Sequence, residues 1–307
     1  MIHSTEYSRS FWNAMRRGSQ AEFGLLDRSA RHTNTGTYML PAEDARKYED
    51  KLAKVGVFRR IATVAHSERG DNVIWAFDSE DAAQWTGENA LDVKDGVDDF
   101  TRYGISTHRL AAIVRLGSEF SSDLKFDIED YLTTAFAKKF AKAEDDAFIN
   151  GDGNRKPVGI LHTEGGAEVG VTSATADGIT FDELTQLYFS VKPDYRSSAV
   201  WLMNDETALA LRSLKDNTGN FLWRGSADSL MGRPVVISNA MPSITPGTKP
   251  VVFGDFSYYW IVVRFPLTVR ALDELFAVRN QRGYLAYEFL DGKLIRPEAV
   301  KTLQMAG

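Results

Sequence analysis

The sequence has no cysteine among its 307 residues. A disulfide framework, a thiolate metal site and a cysteine nucleophile are therefore excluded, and packing and assembly must stabilise the fold. Long apolar runs are also missing, because no stretch approaches the roughly 18 consecutive apolar residues of a membrane-spanning helix. The first residues lack the basic segment and apolar run of a secretory signal. We therefore expect a protein that is made and kept in the cytoplasm and has no membrane partner.

Basic residues are fewer than acidic ones: the sequence has 36 Lys and Arg residues and 42 Asp and Glu residues, which gives a net charge of −6. This balance argues against a dedicated nucleic-acid binder, which would be basic overall or carry a clear basic stripe. The five histidines show no His-x-x-x-His spacing, and no Gly-x-Ser-x-Gly elbow is present. We expect no enzyme, no cofactor and no metal site. A Ser-His-Asp group or a pair of acids could still assemble in space, so a soluble α+β enzyme remains an alternative.

What the sequence does contain is enough apolar material, 43% of residues, for a sizeable core in about two domains. Its clearest element is a long helix over 127–149. Ile128, Leu132, Phe136 and Phe140 recur at four-residue spacing, which predicts the buried stripe of that helix. Asp127 is the expected N-cap.

The helix is expected to end in a turn formed by Gly151, Asp152, Gly153 and Pro157. Proline cannot continue a helix, and glycine tolerates backbone angles with φ > 0, so at least one of the two glycines should have a positive φ. The turn resembles the start of a calcium loop, but Arg155 occupies the position that requires glycine. A metal site is therefore disfavoured here.

Three consecutive acids, Glu144, Asp145 and Asp146, lie near the C-terminal end of the helix. The helix dipole disfavours negative charge at that end, so these carboxylates need partners. Arg155 and Lys156 on the following turn are the local candidates. We interpret the group as a charge-satisfied turn and not as a catalytic acid cluster.

Upstream, residues 42–55 read as a short helix, and 57–65 and 72–77 as two strands of a hairpin with a polar tip. Residues 66–99 carry ten carboxylates and two basic side chains, a net charge of −8, together with two tryptophans. An isolated acidic hairpin buries little of itself, so it must be a mobile loop or lie on another surface. Downstream, short apolar runs predict an α+β domain, and Asp291-Gly292 predicts a hairpin turn.

Five segments in order carry a family resemblance. A long helix ending at 147–153 and followed by 157–161 resembles the signature of the tailed-bacteriophage major capsid proteins, the Hong Kong 97 capsid fold. Residues 35–41 are similar to that family's Gly-Gly-Tyr-Leu-Val-Pro segment, with Thr37 in place of the second glycine. Residues 214–223, 231–235 and 253–256 continue the pattern, so the resemblance covers nearly the whole chain.

The resemblance implies an α+β fold of the Hong Kong 97 type with an N-terminal arm, an extended β-hairpin loop, a peripheral domain with a long spine helix, and an axial α+β domain. The expected divisions are the arm and short helix (1–56), the acidic extended loop (57–107), the peripheral domain (108–160 plus about 262–290) and the axial domain (161–261 plus 291–307). The arm, which includes the apolar Phe11 and Trp12, is expected to lie along a neighbouring subunit, the alternative being a disordered terminus.

The implied function is structural. Relatives self-assemble into homo-pentamers and homo-hexamers of an icosahedral capsid around double-stranded DNA, which they contact non-specifically. The implied partners are portal, scaffolding and maturation protease proteins, with decoration proteins in some relatives. The implied location is the virion capsid, assembled in the host cytoplasm. A bacterial encapsulin-type shell around a cargo enzyme is the alternative on the same fold.

The extended loop of the family reaches over an adjacent subunit. The residues expected to contact that subunit are Trp75, Asp78, Glu80, Asp81 and Trp85. Some relatives join subunits through an isopeptide bond from a loop lysine. Because this chain has no lysine between Lys54 and Lys94, we expect non-covalent joining.

Overall fold

The computed structural model describes residues 4–17, 23–24, 26, 36–67, 73–77, 100–123, 125–224 and 228–307. The helices are α1 (Thr5–Arg17), α2 (Ala42–Val55), α3 (Phe58–Ile61), α4 (Ser118–Ser122), α5 (Ile128–Asn150), α6 (Phe181–Ser190), α7 (Pro193–Arg196) and α8 (Asp205–Arg212). The strands are β1 (Tyr38–Met39), β2 (Thr63–His66), β3 (Val73–Phe77), β4 (Phe100–Gly104), β5 (His108–Gly117), β6 (Glu168–Thr172), β7 (Val200–Met203), β8 (Ser229–Leu230), β9 (Arg233–Ile237), β10 (Val251–Gly254), β11 (Tyr259–Leu272), β12 (Gln281–Leu294) and β13 (Val300–Gln304). None of the helices in this described part combines the length and apolar character needed to cross a bilayer.

Helix α5, called the spine helix below, follows the sequence prediction closely. The Asp127 carboxylate accepts a hydrogen bond from the backbone N–H of Asp130 at 3.0 Å, so the predicted N-cap is present. The predicted stripe is buried: Ile128, Leu132, Phe136 and Phe140 are at most 2% exposed. It packs between α2 and the sheet that contains β5 and β12. The spine helix therefore joins two layers of one core.

The first sheet has the strand order β1-β11-β12-β5, and β2 pairs in parallel with β11. Strands β11 and β12 form one long antiparallel pair from Tyr259↔Leu294 to Leu272↔Gly283. The expected domain boundaries at about 262 and 290 therefore fall inside these strands.

The predicted hairpin turn at Asp291-Gly292 is wrong, because both residues lie within β12, opposite Val262 and Ile261. The Asp291 carboxylate accepts hydrogen bonds from the backbone N–H groups of Ser106 and Gly292, at 2.7 and 2.8 Å, which satisfies it inside the sheet. A Cβ on Gly292 would collide with the side chains of Tyr259 and Phe148. Close packing, and not a turn, requires this glycine.

The second sheet has the order β6-β13-β10-β7-β9-β8, with α6 and α8 among the helices that accompany it. A capping box formed by Thr180 and Glu183 starts α6, because each side chain accepts a hydrogen bond from the other residue's backbone N–H. The core of this unit includes Leu187, Trp201 and Phe253, all fully buried. The α+β class is confirmed.

The hairpin predicted from 57–65 and 72–77 is also wrong. Residues 58–61 form helix α3, β2 joins the first sheet, and β3 pairs with β4 in a separate antiparallel pair in which Trp75 lies opposite Arg102. The cause is non-local. The Asp145 carboxylate accepts hydrogen bonds from the backbone N–H groups of Val57 and Phe58 and so starts a helical turn.

The N-terminal segment packs on its own subunit where the structure describes it. Helix α1 buries Tyr7, Phe11, Trp12 and Met15 in the same core as the spine helix. Trp12 Nε1 donates a hydrogen bond to the carboxylate of Asp44 at 2.8 Å. The expected arm along a neighbouring subunit is therefore corrected for residues 5–17, because an amphipathic helix finds a matching apolar surface within its own chain.

Candidate functional site

A buried ionic cluster ties the helix layer to the first sheet. Arg59 donates from Nε and Nη2 to the two carboxylate oxygens of Glu144, at 2.6 and 2.8 Å. Its Nη2 atom also lies 3.6 Å from Oε1 of Glu288. The Tyr48 hydroxyl donates to Oε2 of Glu288 at 3.5 Å. Each of these four residues belongs to a different element, and all are buried. The cluster is a structural junction of α2, α3, α5 and β12.

The sequence prediction assigned the wrong partners to the acids at the end of the spine helix. Arg155 and Lys156 were expected, but Glu144 pairs with Arg59 and Asp145 caps α3. Lys156 instead lies 4.0 Å from Asp152. Glu144 and Asp145 point back toward the body of the subunit, whereas the exposed Asp146 accepts a hydrogen bond from the Asn150 side chain. One signal for the missed Glu288 was available, because it shares the inward side of β12 with Ala286 and Leu290.

The pKa of Glu288 is strongly raised in this cluster, in which two buried carboxylates share one guanidinium. Burial raises the pKa of Glu288 well above its usual value, and the neighbouring Glu144 raises it further, while Arg59 opposes the shift. Burial also raises the pKa of Tyr48 well above its usual value. Glu288 therefore keeps its proton in the folded subunit at pH values where an exposed glutamate has lost it.

This shift predicts a pH-dependent effect of replacing Glu288 with glutamine. Because the folded-state pKa is raised, the wild-type subunit loses stability as pH rises above the unfolded-state pKa of about 4.3, by up to about 1.4 kcal/mol per pH unit for one proton. The Glu288→Gln variant cannot ionise, so its stability relative to wild type should increase from pH 5 to pH 8. Urea unfolding at both pH values measures this, and an equal difference at the two values would contradict it.

The turn after the spine helix has the predicted geometry. Gly153 has a φ of 77°, which confirms the expectation that one of the two glycines adopts a positive φ. Gly151 has an ordinary φ of −64°, but a Cβ there would collide with the carbonyl oxygens of Pro157 and Ala147. The Asp152 carboxylate accepts a hydrogen bond from the Asn154 N–H, which lowers the pKa of Asp152. No metal-holding group of His, Cys, Asp and Glu side chains occurs among the described residues.

The first sheet has one covered and one open side. The spine helix and α2 cover one side. The other, called the open face below, is represented by Arg109, Ile113 and Arg115 of β5, Phe289 of β12, and Phe265 and Arg270 of β11. Phe265 is 42% exposed and packs edge-on against Phe289. None of the outward-pointing side chains in the paired segments 109–115, 283–289 and 265–270 is acidic. The open face is therefore both basic and apolar.

The model of the phage capsid family matches residues 36–305. The chain belongs to the phage capsid family. Among solved structures, the capsid of an empty GTA particle is 30% identical with a TM-score of 0.65, and the alignment covers 82% of this chain and 90% of that one. The capsid of a native GTA particle is 28% identical with a TM-score of 0.66, over 91% and 95% of the two chains.

A chain of Gordonia phage Cozz is 17% identical, with a TM-score of 0.59 over 82% of this chain and 87% of that one, and shares the fold. No curated protein matches this chain. This member of the phage capsid family therefore has the Hong Kong 97-type capsid fold that its sequence pattern indicated.

The predicted contact residues of this capsid-family chain are only partly placed by the structure. Trp75 lies on β3 and is 60% exposed, which suits a contact with another molecule. Asp78, Glu80, Asp81 and Trp85 lie outside the described residues. Their inter-subunit role stays a prediction.

Proposed function

We propose that the chain is the major capsid protein of a tailed phage or prophage, a structural protein whose copies form pentamers and hexamers of an icosahedral shell around double-stranded DNA. The family match over residues 36–305 carries this proposal. Family membership supports self-assembly into capsomers and a place in the virion capsid. We further propose that the shell assembles in the host cytoplasm with portal, scaffolding and maturation protease proteins as partners. The proposal also includes the division of the subunit into peripheral and axial domains and a role without catalysis.

Size-exclusion chromatography and negative-stain microscopy of the expressed protein test the proposal. Shells, capsomers or tubes are expected, whereas a small uniform oligomer would favour the soluble-enzyme alternative. The 28–30% identity to two GTA capsids supports a second candidate, the capsid of a GTA particle. Sequencing the nucleic acid from purified particles separates a phage head, which should hold the phage genome, from the encapsulin-type alternative, which should hold a protein cargo instead.

We also propose how neighbouring copies are held together. The acidic segment 66–99, with its net charge of −8, lies on the open face of the next subunit. Three arginines and no acid on that face provide the opposite charge, and Phe265 with Ile113 provides an apolar surface for a tryptophan. Individual exposed ion pairs contribute only about 0–1 kcal/mol, and salt screens them over about 8 Å, so the summed contact must hold the copies together. Assembly should weaken as salt rises.

A charge-swap experiment tests this contact. Changing Asp78, Glu80 and Asp81 to lysine should block assembly of capsomers into shells while the subunit still folds, because repulsion replaces attraction at the interface. Circular dichroism checks the fold, and sedimentation velocity measures the assembly.

The matched variant changes Arg109, Arg115 and Arg270 to glutamate and should block assembly in the same way. Combining the two sets of changes in one chain restores opposite charges and should recover shells. Normal shells from the lysine variant across the salt range would mean that the acidic segment is merely solvated. Failure of the combined variant to recover shells would place the receiving surface elsewhere.

A further inference from the structure

The middle of the exposed side of the spine helix, between the acids Asp130 and Asp146, carries only positive charge. Lys138, Lys139 and Lys142 are exposed, and residues 131–143 contain no acid. Lys139 donates a hydrogen bond to the carbonyl oxygen of Ile113 at 2.6 Å. Lys138 and Lys142 make no hydrogen bond or ion pair with the described residues. At 3.6 residues per turn, these two lysines project side by side from successive turns of the helix.

The solvent-exposed surface of the neighbouring helix α2 has a different charge pattern. On α2, Glu43 precedes Lys47 by four residues, and Asp50 precedes Lys54 by four. Such acid-to-base pairs stabilise a helix, whereas the like charges of Lys138 and Lys142 at the same spacing destabilise one slightly. The nearest exposed acid on this side is Asp146, one turn beyond Lys142, and it accepts a hydrogen bond from the Asn150 side chain. Lys138 has no acid within one turn on either side, which leaves room for an anion outside the subunit.

The chemistry of this side favours a polyanion over a protein partner. Tyr131, at 38% exposed, is the large apolar group on the exposed part of the helix between residues 131 and 143. The open face on the opposite side of the same sheet has exposed phenylalanine and isoleucine as well as arginine. Protein interfaces need a buried apolar centre, whereas contacts to nucleic-acid phosphates need only lysine or arginine side chains positioned to reach the phosphates.

We propose that the lysine side of the spine helix, formed by Lys138, Lys139 and Lys142, is the subunit surface that contacts the phosphates of packaged double-stranded DNA. This inference rests on the proposed function, because it requires a shell that encloses DNA. The contacts carry no sequence information, since phosphates are the same at every base pair. The other basic surface, the open face, is occupied by the acidic segment of a neighbouring subunit in the proposed assembly, so the lysine side of the helix layer is left for DNA.

The test uses unassembled capsomers and a short fluorescent DNA duplex over a series of salt concentrations. Each phosphate contact contributes about −0.9 to the slope of log K against log salt concentration. Changing Lys138 and Lys142 to glutamine should weaken binding and reduce the magnitude of the slope by about two. The control changes Lys192 and Lys215, two exposed lysines of the second-sheet unit, to glutamine and should leave the slope unchanged.

Three results would overturn the inference: no DNA binding by wild-type capsomers at low salt, an unchanged slope in the Lys138/Lys142 variant, or an equal loss in the control. Negative-stain microscopy of the same samples tests the proposed function separately. The Lys138/Lys142 variant should form normal shells, because this side of the helix is not the contact between copies. A small uniform oligomer from wild-type protein, in place of shells, capsomers or tubes, would reject the proposed function, whereas normal shells with an unchanged slope would reject this inference alone.

Discussion

Replacing Phe136 with alanine is expected to lower the free energy of unfolding of the subunit by about 3–5 kcal/mol. Phe136 is 2% exposed, and its ring lies 6.5 Å, between centroids, from that of Phe140 in the core shared by the spine helix, α2 and the first sheet. Truncation removes the apolar contacts and leaves a cavity that a helix held on two sides cannot close. Because domains have only about 5–15 kcal/mol of net stability, much of the variant protein should be insoluble.

Urea unfolding of unassembled subunits measures this change. The matched control is Phe189→Ala, since Phe189 is 63% exposed and its truncation leaves no cavity. The control loses only an exposed ring that lies beside the Arg196 guanidinium, so its stability should change by no more than about 1 kcal/mol. A wild-type yield and melting temperature for the Phe136 variant would contradict the assignment of the buried stripe.

Replacing Glu144 with alanine is the second change with a large expected effect, about 3–5 kcal/mol of destabilisation. It leaves the Arg59 guanidinium buried without its two-bond partner, since Glu288 lies farther from the guanidinium, at 3.6 Å. The cost is mainly that of an uncompensated buried charge, and not of a lost attraction.

A double variant separates these two contributions. Changing Arg59 to methionine and Glu144 to leucine removes both charges and keeps apolar volume, and such exchanges are often neutral or stabilising. We therefore expect the double variant to recover most of the stability that Glu144→Ala loses. Equal destabilisation of both variants in urea unfolding would show that the ion pair itself, and not the uncompensated charge, sets the stability of the junction.

The lysine side of the spine helix, which is proposed to contact DNA, was not apparent in the overall composition. A net charge of −6 argued against a dedicated nucleic-acid binder, and a shell subunit is not one. The relevant quantity is the charge on one side of one helix. That quantity required knowing which side of residues 131–143 is exposed.

The sequence by itself determined the features that depend on near neighbours. The four-residue spacing of Ile128 to Phe140 defined the buried stripe, and Asp127 defined the N-cap. The glycines after Asn150 predicted a turn with at least one positive φ, which the structure places at Gly153. Each follows from interactions across a few residues, which periodicity and capping chemistry reveal directly. The order of short motifs likewise indicated the capsid family, and the family match confirmed it.

Only the tertiary structure decided the pairings between distant segments. Arg59 and Glu144 are 85 positions apart, and Asp145 caps a helix 87 residues upstream, so local sequence offered the nearer but wrong Arg155 and Lys156. The strand position of Asp291-Gly292 depends on hydrogen bonds from Ser106 and on packing against Tyr259, neither of which a turn motif reveals. Such contacts are set by which surfaces the chain topology brings together, and a pattern within a few residues carries no information about that.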